Sequence, residues 1–331
     1  MKGASLLLFC VCVLAGFCIL SLGIGRYPVS PGTIVSWMIT GGSADGNVPL
    51  IMVGIRLPRL IAAIAAGGAL AISGAAYQGL FRNPMVSPDI LGVSSGAGFG
   101  AALAILLSMP AAVVQVMSFT GGISAVLVAV AVSKAIGRGN DSVLVLVLSG
   151  IVVSSLFGAL LSMLKYVADP LDKLPAITYW LMGSLADIRM RELRTVLVMV
   201  AAGAVPLMLV SWRLNVLSFG EEEARSLGLH TGMMRAVVIV CATMVTAGVI
   251  SVCGIIGWVG LVVPHISRFV AGPNHRLLLP VSFLIGAAFM LAVDTVARSA
   301  VSVEIPIGII TAVAGAPFFI WVMKKSSIRS W

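Results

Sequence analysis

Apolar residues in this chain fall in long uninterrupted runs, neither alternating nor confined to one helical stripe. The runs give ten candidate spans: 4–24, 58–81, 92–108, 112–136, 143–164, 193–212, 235–253, 255–271, 277–294 and 305–323. A helix of about 20 apolar residues crosses the ~30 Å hydrocarbon core of a bilayer. A lipid-facing barrel needs segments of alternating polarity, and the runs here are continuous. Segments 92–108 and 255–271 are short or broken by Gly and Pro. They are expected to be tilted, partly re-entrant, or to begin inside the membrane. The pattern therefore predicts an all-α polytopic membrane protein of about ten transmembrane helices, one domain over residues 1–331.

An even number of spans puts both termini on one side. The tail Lys324, Lys325, Arg329 marks that side as cytoplasmic. Residues 26–59 and 165–191 then lie outside, each with a short amphipathic piece, Thr33–Ile39 and Ile177–Leu185. Residues 82–91 and 213–234 form inside loops. The apolar run after Lys2 could be read as a signal peptide, and Leu14–Cys18 approaches a lipoprotein cleavage box. Phe17 spoils its spacing and the run continues to Gly25, so a retained first helix is expected.

Composition supports the pattern. The chain is 60% hydrophobic and 10% charged, with a mean hydropathy of +1.12, against roughly 45–50% and 25% in soluble domains. Soluble enzymes, disordered chains and disulfide scaffolds are excluded. A net charge of +9 would suggest nucleic acid in a soluble protein. Here it fits loop residues beside lipid headgroups, and no nucleic-acid partner is expected. Basic residues divide almost evenly between the two sides, so the outer ones are expected to have a further task. The five cysteines, Cys10, Cys12, Cys18, Cys241 and Cys253, all sit in apolar runs without metal-ligand spacing, so no metal site is expected.

Small residues recur at intervals of four: Gly92, Gly96, Gly100, and Gly67, Ala71, Ala75, Gly79. Such rows let helix backbones approach closely, and packing within the chain is the plainer reading than a subunit contact. Gly74 precedes Pro84 by ten residues, as Gly254 precedes Pro264, which suggests a five-plus-five inverted repeat. No GxxxxGK[ST] loop, HExxH or GxSxG occurs, so no catalytic residues are assigned. Carboxylates are almost all in loops. Asp294 and Glu304 come nearest to membrane depth and read as interfacial or ion-paired groups rather than coupling sites. The chain has the character of a pathway without its own engine. Three readings stay open on the residues: a subunit driven by a partner ATPase, an ion-coupled secondary transporter, and a non-transport membrane scaffold.

The 213–234 loop holds the most concentrated charge. Its core runs Gly220, Glu221, Glu222, Glu223, Ala224, Arg225, Ser226, Leu227, Gly228. Acidic residues after a chain-breaking glycine suit a helix N-terminus, and Gly228 suits its end. A short helix is expected there, offering a compact surface to a soluble partner.

Several segments in order resemble the FecCD-type permease family, the membrane subunits of ABC importers for iron–siderophore complexes, haem and cobalamin. They are Arg56-Leu57-Pro58-Arg59, GGALAISGAAYQGLFRNPMVSPDILGVSSGAG (67–98), GEEEARSLGL (220–229), GWVGLVVPHISRFVAGPNHRLLLP (257–280), DTVAR (294–298) and EIPIGIITAVAGAPFF (304–319). The resemblance implies ten helices per subunit and a homodimer working with two cytoplasmic ATPase subunits, which bind ATP and Mg; this chain holds no cofactor. It implies a periplasmic or lipid-anchored substrate-binding protein that docks on Arg56, Arg59 and Arg298. It assigns residues 220–228 to ATPase coupling, and Asn83, Met85, Ser142 and Val143 to an inner gate. The implied place is the bacterial or archaeal cytoplasmic (inner) membrane. The implied cargo is a metal chelate, with molybdate-type oxyanions also known in the family.

Overall fold

A computed structural model describes residues 3–25, 29–39, 48–137 and 142–326. All regular elements among them are helices: α1 (Gly3–Gly23), α2 (Pro31–Ile39), α3 (Val48–Ile51), α4 (Leu57–Leu80), α5 (Val93–Leu106), α6 (Ala111–Ile136), α7 (Ser142–Val167), α8 (Lys173–Met182), α9 (Met190–Leu209), α10 (Ser211–Leu217), α11 (Glu221–Ser226), α12 (Thr231–Cys253), α13 (Val259–Ala271), α14 (His275–Ser299) and α15 (Ile307–Ser326). Among the described residues seven stretches are long and apolar enough to cross a membrane. Three shorter apolar helices, α5, α13 and α15, take up the other expected spans. The protein is a polytopic helical membrane protein. The two short amphipathic pieces expected outside are α2 and α8.

The hydropathy reading starts the second span at residue 58, whereas the helix begins at Val48. A π-helical turn, Met52–Arg56, joins α3 to α4. Pro58 is the physical reason. It has no N–H to bond one turn back, and a wider turn before it absorbs the mismatch. Arg56 and Arg59 consequently sit in a continuous helix rather than in a loop.

α4 is the hub. From Ala62 to Gly79 only Ile64 is less than fully enclosed, and α9, α12, α13 and α14 pack around it. Its Ala- and Gly-rich composition follows, since surrounding helices can close in only on small side chains. A Cβ at Gly67 would collide with the Gly286 carbonyl of α14, and one at Gly74 with the Gly260 carbonyl of α13. The second small-residue row works the same way, with Gly96 and Gly100 against the Gly121 and Met117 carbonyls of α6. Both rows are packing surfaces within the chain. Polar stitches add to them: Ser73 Oγ lies 2.9 Å from Thr246 Oγ1, and Tyr77 Oη 3.0 Å from Thr243 Oγ1, joining α4 to α12.

α5 and α13 have 14 and 13 residues, about 20 Å each at 1.5 Å per residue, which is less than the hydrocarbon core. α13 starts beside Gly74, well inside the bundle, after Gly254 (φ +72°) ends α12. Residues 86–91 dip inward likewise: Pro88 packs on Gly260, and Ile90 and Leu91 press on Gly150 of α7. The short segments thus begin within the bundle, as their Gly and Pro content predicts. The Gly/Pro pairs read as a repeat occupy unlike places. Gly74 is mid-helix and Gly254 a helix end, while Pro84 is in a turn and Pro264 in α13. They lend the repeat no support.

Candidate functional site

α4 and α14 run antiparallel, so their contacts define two ends of the bundle. Arg59 meets Asp294 at one end, and Gly79 meets His275 at the other.

The first end gathers all three arginines expected at the outer mouth. Arg59 donates from Nε to Asp294 Oδ1 at 2.8 Å, and from Nη1 to Glu304 Oε1 and Oε2 at 3.0 and 2.9 Å. Arg298 Nε stands 3.5 Å from Asp294 Oδ2. Its Nη2 donates to the Ser21 carbonyl and, at 2.9 Å, to Ser21 Oγ. Arg56 Nη1 donates to the Leu22 carbonyl. Gly25 lies across the Arg56 and Arg298 guanidiniums, where a side chain would press on both. The three arginines are 6–8% exposed, and Asp294 is 1% exposed. Such burial is tolerated only with partners present. The cluster ties the end of α1 to α4, α14 and the 300–306 segment. Asp294, read as ion-paired, is so.

At the opposite end the predicted short helix is α11. Gly220 precedes it in a left-handed conformation (φ +129°), and Gly228 (φ +80°) follows it. The Gly228 N–H bonds the Arg225 carbonyl at 2.9 Å, and the Leu229 N–H bonds the Ala224 carbonyl at 3.0 Å. That pair of bonds is a Schellman ending, which requires glycine's freedom at residue 228. Ala224 is fully buried and anchors the helix. Glu221 pins it sideways. Its Oε1 accepts from Arg225 Nη2 at 2.8 Å and Thr231 Oγ1 at 3.1 Å, and its Oε2 from Arg235 Nη2 at 2.9 Å. Partial burial pushes the Glu221 pKa up, but Arg235, Thr231 and Arg225 outweigh it and hold the carboxyl below its ordinary value. Glu222, Glu223, Arg225 and Leu227 face outward, Leu227 with 68% of its surface free. Of the residues assigned to coupling, Glu221, Ala224 and the Glu221-bound Arg225 hold the helix, the buried Gly220 begins it, and Glu222, Glu223 and Leu227 are left exposed.

Of the residues expected at an inner gate, Asn83 and Met85 lie in the turn after α4, and Ser142 and Val143 at the start of α7. Asn83 Oδ1 accepts from the Met85 N–H at 2.9 Å, closing a turn after Arg82, whose backbone is left-handed (φ +49°). Asn83 and Met85 are exposed. Ser142 opens α7, and Val143 packs partly against the core. Among the described residues no hydrogen bond joins the Asn83 turn to Val143.

Sequence reasoning missed a set of polar residues at this end. Gln78, Arg268, Asn215 and His275 meet across 60 to 190 residues of chain, and no local spacing signals such a meeting.

Comparison with known proteins adds a family. The FecCD transport family matches residues 12–325. The molybdate import system permease protein of Haemophilus influenzae is 40% identical over 317 residues, covering 94% of each chain. The cobalamin import system permease protein of Halobacterium salinarum is 43% identical over 83% of this chain and 74% of its own. A solved structure described as a metal-chelate type ABC transporter in an inward-facing conformation superposes with a TM-score of 0.86 at 38% identity, covering 98% of this chain and all of that one. The membrane-spanning bundle and a match over nearly the whole chain agree: this protein belongs to the FecCD transport family, as a multi-pass permease subunit of an ABC importer.

Proposed function

We propose that two copies of this chain form the pathway of a binding-protein-dependent importer for a metal chelate, an iron–siderophore complex first, haem or cobalamin next. The observation that carries the reading is α11. It is held from behind by Ala224 and Glu221 and offers Glu222, Glu223, Arg225 and Leu227 outward, the build of a helix that another protein grips. Two cytoplasmic ATPase subunits, with their own ATP and Mg, take the two copies of α11 and drive alternating access by hydrolysis. Both termini then lie in the cytoplasm, and the membrane is the inner membrane.

The Arg56, Arg59 and Arg298 cluster faces the other side and receives a periplasmic or lipid-anchored binding protein. Docking there requires partner exchange. Glu304, whose side chain is 26% exposed, is the one to yield Arg59 to a carboxylate of the binding protein. A second copy of the chain packs on α7, where Leu144, Leu148, Val152 and Leu156 form one exposed apolar face. That copy supplies the counterpart with which Asn83 and Met85, or Ser142 and Val143, close the inner mouth. An ion-coupled carrier is disfavoured because Asp294, the carboxylate at membrane depth, is already neutralised by Arg59.

Reconstitution tests the reading. Proteoliposomes holding the chain, its ATPase and its binding protein should take up chelate only with ATP. The chain alone should neither hydrolyse ATP nor move chelate under a proton or sodium gradient. Gradient-driven uptake by the chain alone would overturn the reading in favour of a secondary transporter.

A further inference from the structure

An open cavity of about 550 Å³ lies at the α11 end, lined by Gln78, Arg82, Asn215, Arg268, Asn274 and His275 among others. Among the described residues that line it there is no carboxylate, and neither Arg82 nor Arg268 makes an ion pair. Glu223 and Arg82 both flank Gly220 without pairing.

Arg268 is held by a neutral group. Gln78 is 2% exposed, and its Nε2 donates to the Val86 and Leu261 carbonyls at 3.2 and 3.3 Å. Those bonds fix the amide so that Oε1 faces Arg268, whose Nη1 donates to it at 2.6 Å. An amide orients a guanidinium without cancelling its charge. Beside it, His275 is 5% exposed. Its backbone N–H donates to Asn215 Oδ1 at 2.8 Å, and its Nδ1 lies at the same distance from that oxygen. Nε2, on the Gly79 side of the ring, has no partner. Asn215 is steadied in turn by donating to Asn274 Oδ1 at 2.9 Å.

A partly buried guanidinium with no counter-charge is costly to hold. This cavity holds one beside a second arginine that makes no ion pair. We propose that it binds a tetrahedral oxyanion of the phosphate type, gripped by the fork of Arg268 with Arg82 closing from the rim. Arginine suits this because its planar donors pair bidentately with phosphate oxygens. The same chemistry is supplied by a free anion or by the phosphate of a lipid headgroup at the membrane surface. The site goes beyond the importer reading and stands on its own lining. Because Asn83 lines the same cavity, an occupant would sit against the turn that carries it.

The test uses the full chain in detergent and in nanodiscs. Equilibrium binding of radiolabelled inorganic phosphate should be saturable at one per chain and fall at least tenfold in Arg268→Gln. Arg82→Gln, at an exposed residue, should weaken it severalfold while leaving the melting curve unchanged, so the test survives if Arg268→Gln misfolds. In parallel, retention of phosphatidylglycerol over phosphatidylcholine is read by native mass spectrometry. Phosphate binding with no lipid preference identifies a free anion. Arginine-dependent phosphatidylglycerol retention identifies a headgroup. Either supports the site. Folded variants that bind both probes as the wild type does would overturn it. So would absence of both probes with loss of ATPase co-purification in Arg82→Gln, which would assign the arginines to a protein carboxylate.

Discussion

The two ends of the bundle use carboxylates and arginines in opposite ways. At the Arg59 end, Asp294 and Glu304 are spent inside the chain, closing an almost fully buried network across four segments. At the α11 end a single carboxylate, Glu221, does the inward work, and Glu222, Glu223 and Arg225 are left facing out. A buried network resists change because every member leaves an uncompensated charge when its partner goes. A helix pinned at one point keeps a surface free for another protein. The difference implies that substitutions at the first end act mainly on stability, and those at the second mainly on communication.

The sharpest way to break that contrast is Asp294→Ala. It strands Arg298 and leaves Arg59 with Glu304 alone in a buried site, and we expect a loss of about 3–5 kcal/mol of stability, measured by thermal or denaturant unfolding in detergent. Arg59→Met combined with Asp294→Leu should recover only part of it, since replacing the pair by apolar groups is often neutral but Arg298 and Glu304 lose their partners.

At the other end Gly228→Ala should cost about 1 kcal/mol, because residue 228 holds φ at +80° and only glycine takes that conformation freely. Local helix content near α11, read by hydrogen exchange, should fall with it.

Glu304→Gln sharpens the docking proposal. Removing one of Arg59's two carboxylates frees part of its guanidinium, so affinity for the binding protein should rise severalfold at low salt, the scale of about 1 kcal/mol. An unchanged affinity would mean the cluster serves the fold alone.

Glu221→Gln should cost about 0.5–1 kcal/mol, discounted because the carboxylate is partly solvated. Its folded pKa lies below the ordinary glutamate value. Its contribution is therefore complete at neutral pH and is lost as pH falls through the depressed folded pKa. The stability gap between wild type and Glu221→Gln should shrink over that acidic window and stay constant above it.

Much of this organisation is legible in the sequence, and the exceptions have physical causes. Continuous apolar runs announce the spans because lipid demands them locally. α11 is readable because its signals, Gly220, the glutamates and Gly228, lie within nine residues. The π turn before Pro58 is hidden because Arg56, Pro58 and Arg59 depress hydropathy where the helix continues. The partners of Arg59 lie 235 and 245 residues away, and that of Arg268 lies 190 away. Composition reports that these residues are charged, but only the packing of α4 against α13 and α14 decides which arginine is neutralised and which keeps its charge.

Stimulation of the partner ATPase by Leu227→Asp, in the reconstituted complex, tests the central claim most directly. Leu227 is 68% exposed, so its replacement should leave the chain's stability within about 0.5 kcal/mol. Placed in an interface, the new carboxylate would be buried without a partner, at a cost of several kcal/mol. The account predicts a normal melting curve with loss of both ATPase co-purification and chelate-stimulated turnover. Wild-type co-purification and turnover in the folded variant would contradict it.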